Sequence, residues 1–223
     1  MNKTEVRSKI KETGIVPVIR TDSAEKARTI IKALIEGGIN VLEITMTIPG
    51  AIQLIAELTG EYKTAAVIGA GTVLDAETAR RCVAAGAQFI VSPIAVSGMI
   101  SLCNQKEIIV MPGALTPTEI FAAQAAGADI VKVFPVGAMG GVSYLKSVKA
   151  VFPHIEIVPT GGINPENAVD YLKAGALAVG IGSELTSGEA SEITKRAQLL
   201  LGEIELNQTA KEKNNFCQIF QAH

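Results

Sequence analysis

The stretch "TPTEIFAAQAAGADIVKVFP", Thr116–Pro135, holds the unit from which the fold is built. Thr-Pro opens a helix, because proline at the first helical turn has no N–H to lose and its φ is already helical. Gly127 closes it, since glycine takes the left-handed conformation past a helix end without a Cβ clash. An apolar run, Ile130–Phe134, follows at once and reads as a strand. The unit is therefore helix, glycine, strand, and the junction recurs at Glu36-Gly37-Gly38-Ile39, Ala85-Gly86-Ala87 and Ala174-Gly175-Ala176.

Working outward, strands are expected at Ile15–Arg20, Val41–Thr45, Ala66–Gly69, Phe89–Ser92, Ile108–Met111, Ile130–Phe134, Glu156–Pro159 and Ala178–Ile181. Helical spacing fills segments between them, among them Ser23–Glu36, Ala76–Ala85, Pro117–Ala126 and Pro165–Ala174. About eight βα units in one chain point to an α/β fold, a single (β/α)₈ barrel over residues 1–206. An open doubly wound sheet would hold as many units, but no G-x-G-x-x-G follows the first strand and the spacing stays even to the end. Residues 207–223 read as a polar C-terminal tail ending in Phe216-Cys217-Gln218-Ile219-Phe220, either frayed or packed on the barrel or a neighbouring subunit.

The 223 residues are 48% hydrophobic and carry a net charge of −2, as in an ordinary globular protein. No apolar run is long enough to span a bilayer and no secretory segment opens the chain, so a cytoplasmic location is expected. Three separated cysteines without a C-x-x-C motif indicate neither a disulfide framework nor a zinc knuckle. With two histidines as nitrogen ligands, neither a metal nor another cofactor is expected. Scattered charges and the absence of Trp argue against a nucleic-acid face, leaving a small-molecule partner.

Two charges interrupt this pattern. Strand residues alternate faces, so Lys132 shares a side with Ile130 and Phe134, while Val131 and Val133 share the other. In the second strand Glu43 shares a side with Val41 and Thr45, and Leu42 and Ile44 oppose it. An unpaired charge in the apolar helix layer would be costly, whereas the top of a barrel interior opens to a site, so both residues should point inward. The bland alternative is an ion pair that only fixes packing, but buried pairs stabilise poorly. Burial favours the neutral amine, a nucleophile toward carbonyls, and a nearby carboxylate can move protons. Lysine with glutamate and few metal ligands suggests Schiff-base chemistry.

Glycine-rich turns end three further strands: "IGAGTV", "VPTGGIN" and "AVGIGSEL". Loops after the last two strands of a barrel commonly hold phosphate, because glycines let backbone N–H groups approach the anion. Gly161, Gly162, Gly182 and Ser183 are placed for this. Arg20 at the end of the first strand and Thr72 after the third are candidates for holding a keto acid's carboxylate, with a solvated strand end as the alternative for Arg20. A phosphosugar isomerase or epimerase could use Lys132 and Glu43 without a covalent step. A purely binding barrel would leave the pair unexplained.

Taken together, "LEIT", "GAGTV", "VSP", "PGALTPTE", "VKVFP", "PTGGI" and "GIGS", in this order from about Ile15 to Leu185, resemble the 2-keto-3-deoxy-6-phosphogluconate and 4-hydroxy-2-oxoglutarate aldolase family. The resemblance implies a class I aldolase on a (β/α)₈ barrel, usually a homotrimer, that yields pyruvate and glyceraldehyde 3-phosphate. By motif position it makes Lys132 the imine-forming lysine and Glu43 the general acid/base. Thr72, Pro93 and Phe134 become substrate contacts, and Gly161, Gly162 and Ser183 phosphate-binding turns. One position departs: where many members read L-E-V-T-L-R, this chain has Thr47 in the arginine's place, and Arg20 offers a substitute cation.

Overall fold

The computed structural model describes residues 1–221. Helix α1 (Lys3–Thr13) precedes the first strand, β1 (Ile15–Ile19), and is an element the sequence reading had not assigned. There follow α2 (Ala24–Glu36), β2 (Val41–Thr45), α3 (Ala51–Tyr62), β3 (Val67–Gly71), α4 (Ala76–Ala84), β4 (Phe89–Val91) and α5 (Ser97–Gln105). The second half runs β5 (Ile109–Met111), β6 (Gly113–Ala114), α6 (Pro117–Ala125), β7 (Val131–Val133), α7 (Val142–Val151), β8 (Ile157–Pro159), α8 (Pro165–Lys173) and β9 (Val179–Ile181). A short α9 (Ser183–Thr186) and a long α10 (Ala190–Gln221) complete it.

The repeated unit forms as its residues dictate. Thr116 accepts from the Glu119 N–H while the Glu119 carboxylate accepts from the Thr116 N–H, a reciprocal cap on α6 with Pro117 at its first turn. Asn164 and Asn167 do the same for α8, and Ser23 and Asp75 cap α2 and α4. The junction glycines Gly38, Gly86, Gly127 and Gly175 have φ of 92°, 99°, 96° and 101°, the left-handed region that lets a helix turn directly into a strand.

All strand pairs are parallel. One sheet has the order β5-β4-β3-β2-β1-β9, the other β6-β7-β8. The expected fifth strand, Ile108–Met111, forms as β5; Pro112, with no N–H to continue the ladder, ends it, and a further short strand not expected, β6, begins at Gly113. Hydrogen bonds cross both seams between the sheets: the Lys132 N–H donates to the Pro112 carbonyl (3.0 Å) and the Leu177 N–H to the Ile157 carbonyl (2.9 Å). Thr160 and Gly180 add an isolated parallel bridge. The third strand runs on to Gly71 rather than stopping at Gly69, and Arg20 lies just past the end of β1.

Two apolar clusters separate the faces of the strands. Val16, Val41, Val67, Phe89, Ile109, Ile130 and Val158 belong to one, with Val6 and Ile10 of α1. Leu42, Ile44, Ile68, Ala70, Val131 and Val133 belong to the other, packed among the helices. Ile130 and Val41 thus lie with the first cluster, and the alternation expected around Lys132 and Glu43 holds. Helix α1 lies across the strands' N-terminal ends: Lys3 pairs with Asp129 (2.8 Å), Arg7 with Glu156, and Thr13 bonds Asn40 (3.2 Å). Each of those partners stands just before a strand.

Helix α10 continues through the expected boundary at residue 206. Asn207 is buried, and the Gln208 amide donates to the carbonyls of Lys11 and Glu12 (3.3 and 3.1 Å). The start of the tail is therefore anchored on α1, while the side chains of Phe216–Phe220 lie outside the described residues. No described helix is long and apolar enough to cross a membrane.

Candidate active site

Strands β2 and β7 each carry one charged side chain to the inner face. Lys132 is 6% exposed and Glu43 2%, and Lys132 Nζ stands 3.7 Å from Glu43 Oε1. That spacing attracts but exceeds a hydrogen bond, and Oε1 is buried with no hydrogen-bond partner among the described residues. Burial pushes the Glu43 carboxyl above its ordinary value, and the ammonium of Lys132 and then the Arg20 guanidinium oppose the rise. A buried acceptor with no partner is costly unless something else arrives to use it.

Gly71 makes room for this carboxylate. A Cβ at that position would stand 2.0 Å from Glu43 Oε1, so no side chain fits beside it. The next residue, Thr72, has φ 56°, a left-handed conformation that β-branched residues rarely hold. It brings Thr72 Oγ1 to 3.3 Å from Arg20 Nη2. The two residues expected to hold a carboxylate, from strands β1 and β3, thus meet, and the guanidinium lies close enough to Glu43 to act on its ionisation.

Thr47 does not reach toward this cation; its hydroxyl bonds that of Thr45 (2.8 Å), which is held by the Ile19 carbonyl (2.8 Å).

The Phe134 ring lies 5.6 Å from Lys132 Nζ and is 39% exposed, so it forms an apolar wall over the amine. Pro93 and Phe134 together line a cavity of about 420 Å³ that leads outward between α5 and α6. Gly161 and Gly162, with φ of 90° and 80°, turn the chain tightly against the β7 loop, where the Gly137 N–H donates to the Gly161 carbonyl (2.9 Å). The Thr160–Gly180 bridge holds this turn beside the one at Gly182 and Ser183. Ser183 shares a second cavity, about 430 Å³, with Arg20.

Sequence reasoning passed over two members of this arrangement. Gly71 was read as part of a turn, although a glycine neighbouring an inward glutamate on the next strand was the available signal. Thr160 was hidden inside "PTGGI"; it is 7% exposed, two residues beyond Val158 and so on the same inner face, and a Cβ on Gly180 would lie 2.2 Å from its hydroxyl. The two cysteines whose side chains are described are poor nucleophiles, since burial pushes Cys82 up to about 11 and Cys103 up to about 12.

An amine and a carboxylate enclosed by parallel strands, with a guanidinium and glycine turns at the strand ends, are the equipment of an enzyme that makes and breaks carbon–carbon bonds beside a carbonyl: an aldolase, a lyase. The chain belongs to the KDPG and KHG aldolase family, which matches residues 6–199. It is similar to the 2-dehydro-3-deoxy-phosphogluconate aldolase of Pseudoalteromonas atlantica, 36% identical over 80% of this chain and 82% of that one. The 2-dehydro-3-deoxy-6-phosphogalactonate aldolase of Escherichia coli is 35% identical over 81% of this chain and 88% of its own length.

Among solved structures, the KDPG aldolase of Legionella pneumophila, holding pyruvate as a covalent carbinolamine, superposes with TM-score 0.81 at 33% identity, covering 89% of this chain and 98% of that one. A chain of a cube-shaped cage designed by fusing symmetric oligomeric domains gives TM-score 0.84 at 31% identity over 93% of this chain and 78% of that one.

Proposed function

We propose that the protein is a class I aldolase that cleaves 2-keto-3-deoxy-6-phosphogluconate to pyruvate and glyceraldehyde 3-phosphate, and also 4-hydroxy-2-oxoglutarate to pyruvate and glyoxylate. The observation that carries this is the buried Lys132 amine facing the unpartnered Glu43 oxygen at 3.7 Å. Neutral Lys132 attacks the C2 carbonyl, and the carbinolamine loses water to an iminium with Glu43 moving the protons. Glu43, directly or through water, then takes the C4 hydroxyl proton. The C3–C4 electrons flow into the iminium, releasing the aldehyde and leaving an enamine. Glu43 returns its proton to C3, and water frees pyruvate from Lys132.

Arg20 and Thr72 hold the carboxylate in this reading, Pro93 and Phe134 flank the keto acid, and Gly161, Gly162, Gly182 and Ser183 receive the phosphate. The two sheets form one closed (β/α)₈ barrel, supported by the backbone bonds across both seams, with Met111-Pro112-Gly113 as a single interrupted strand. The assembly is a homotrimer, as the family resemblance implies. A second substrate reading, the phosphogalactonate epimer, is supported by the relatives named for that sugar acid.

Borohydride reduction in the presence of pyruvate, followed by peptide mapping, tests the chemistry. A pyruvate-derived mass increment on Lys132, absent in Lys132→Met, is the expected result. Folded protein with no adduct would leave the non-covalent isomerase as the better reading. Rates on the two epimeric phosphorylated acids and on 4-hydroxy-2-oxoglutarate then rank the substrates.

A further inference from the structure

The cavity that Ser183 shares with Arg20 lies between the first turns of α2 and the segment that joins α9 to α10. It encloses about 430 Å³ and is lined by Arg20 and Lys26, by the hydroxyl residues Thr21, Thr29 and Ser187, and by Ile30. No carboxylate residue is in that lining. The cavity beside α1, by contrast, sets Lys9 against Glu12 and Glu205, and the one between α5 and α6 holds Glu119.

Its wall is fixed, while its cations keep donors to spare. The Arg196 guanidinium donates to the Ser187 carbonyl, Ser187 Oγ to the Ser183 carbonyl (2.6 Å) and Thr186 Oγ1 to the Gly182 carbonyl (3.1 Å). Lys26 pairs with Asp22 (2.7 Å), which uses one of its ammonium protons. Among the described residues Arg20 makes one hydrogen bond, the 3.3 Å contact with Thr72 at the long end of the range, and no ion pair. Its remaining N–H groups are therefore free for a ligand.

We infer that this cavity is a second anion site, which takes a phosphate group, free or as a monoester. Two cations and several hydroxyls without an acid suit a tetrahedral oxyanion, and Arg20 supplies a planar fork of donors. The volume leaves room beyond the phosphate for a short carbon chain against Ile30. The site is separate from the turn at Gly161 and Gly162, which follows β8, because β9 stands between β8 and β1.

Occupancy has a consequence that rests on the aldolase reading. Arg20 is the cation assigned there to the keto acid's carboxylate, so the two anions share one guanidinium and repel each other across it. The coupling is reciprocal: phosphate weakens keto-acid binding by the factor by which the keto acid weakens phosphate binding.

Calorimetric titration of the full chain with inorganic phosphate at fixed ionic strength tests the site, using two variants at exposed positions of α2. Lys26→Ala should bind phosphate about 5-fold more weakly than the wild type. Thr29→Glu, which adds a carboxylate to the lining, should lose this binding event altogether. A parallel titration with glycerol 3-phosphate separates the sources: tighter binding of the monoester, or of free phosphate, supports the site and names its ligand. Phosphate binding that is the same in the wild type and both variants, or absent at millimolar concentration, overturns the inference.

Imine trapping with pyruvate reads the coupling. Pyruvate carries no phosphate, so phosphate on the glycine turns leaves its half-saturating concentration unchanged. Phosphate in the cavity should raise that concentration about 5-fold or more in the wild type and much less in Lys26→Ala. An equal rise in both would place the phosphate on the carboxylate contacts themselves and sink the proposal. Lys132 adducts missing from every sample would instead count against the aldolase reading, with the titrations still deciding the site.

Discussion

Replacing Gly71 with alanine adds one methyl group beside the Lys132–Glu43 pair. The new Cβ would stand 2.0 Å from Glu43 Oε1 and 2.5 Å from its Cγ and Cδ. Ordinary contact requires about 3.5 Å, so the carboxylate must retreat by more than ~1 Å. Displacement of about 1 Å can cost ~100-fold in rate, and loss of acid–base catalysis altogether costs ~10²–10⁴-fold. Gly71→Ala should therefore lower kcat by at least ~100-fold, read in a coupled assay of pyruvate release.

The matched control is Gly69→Ala, whose Cβ would meet the Phe89 ring at 2.3 Å. It overpacks the apolar interior, costing about 1–3 kcal/mol, while Glu43 is left in place. The first variant should fail in turnover and the second in thermal stability. A folded Gly71→Ala enzyme with half the wild-type kcat would refute the claim that this glycine exists to seat Glu43.

Three further outcomes are expected. Thr72→Gly relieves a left-handed conformation that costs about 1–2 kcal/mol, so it should match or exceed the wild type in melting temperature while raising KM for the keto acid; Thr72→Ala should raise KM without any gain in stability. Arg20→Ala, at an exposed position, should move stability by no more than about 0.5 kcal/mol but raise KM about 10-fold or more, the value of a charge-assisted contact; an unchanged KM would place the carboxylate elsewhere. Because burial raises the Glu43 carboxyl and, in the proposed mechanism, its base form accepts the C4 hydroxyl proton, kcat/KM should fall on the acid side with a midpoint above the ordinary carboxylate range; a midpoint within that range would mean another group limits the rate.

The inward lysine and glutamate were legible because strand alternation is a local rule: one residue of slip would have placed each charge among the helices. The junction glycines were legible because a left-handed helix end is a property of one residue. What escaped depended on neighbours distant in sequence. Gly71 is needed only because Glu43 lies on the adjacent strand, and the break at Pro112 shows only once both flanking pieces find separate partners. Helix α1 was not assigned, since its role comes from Val6 and Ile10 meeting the interior cluster. The course of α10 past residue 206 follows from Asn207 and Gln208 finding α1, which no periodicity encodes.

Helix α1 turns the strand assembly into a vessel with a floor. Its polar residues are stitched to positions just before β2, β7 and β8, and its apolar ones fill the space between. In the closed barrel proposed above, entry and exit use one opening, at the C-terminal ends of the strands. In the aldolase reading, pyruvate held on Lys132 lies deeper than the aldehyde fragment, which stands nearer that opening. On that reading the order of departure follows from the architecture: the aldehyde leaves first, and water then reaches the imine to release pyruvate.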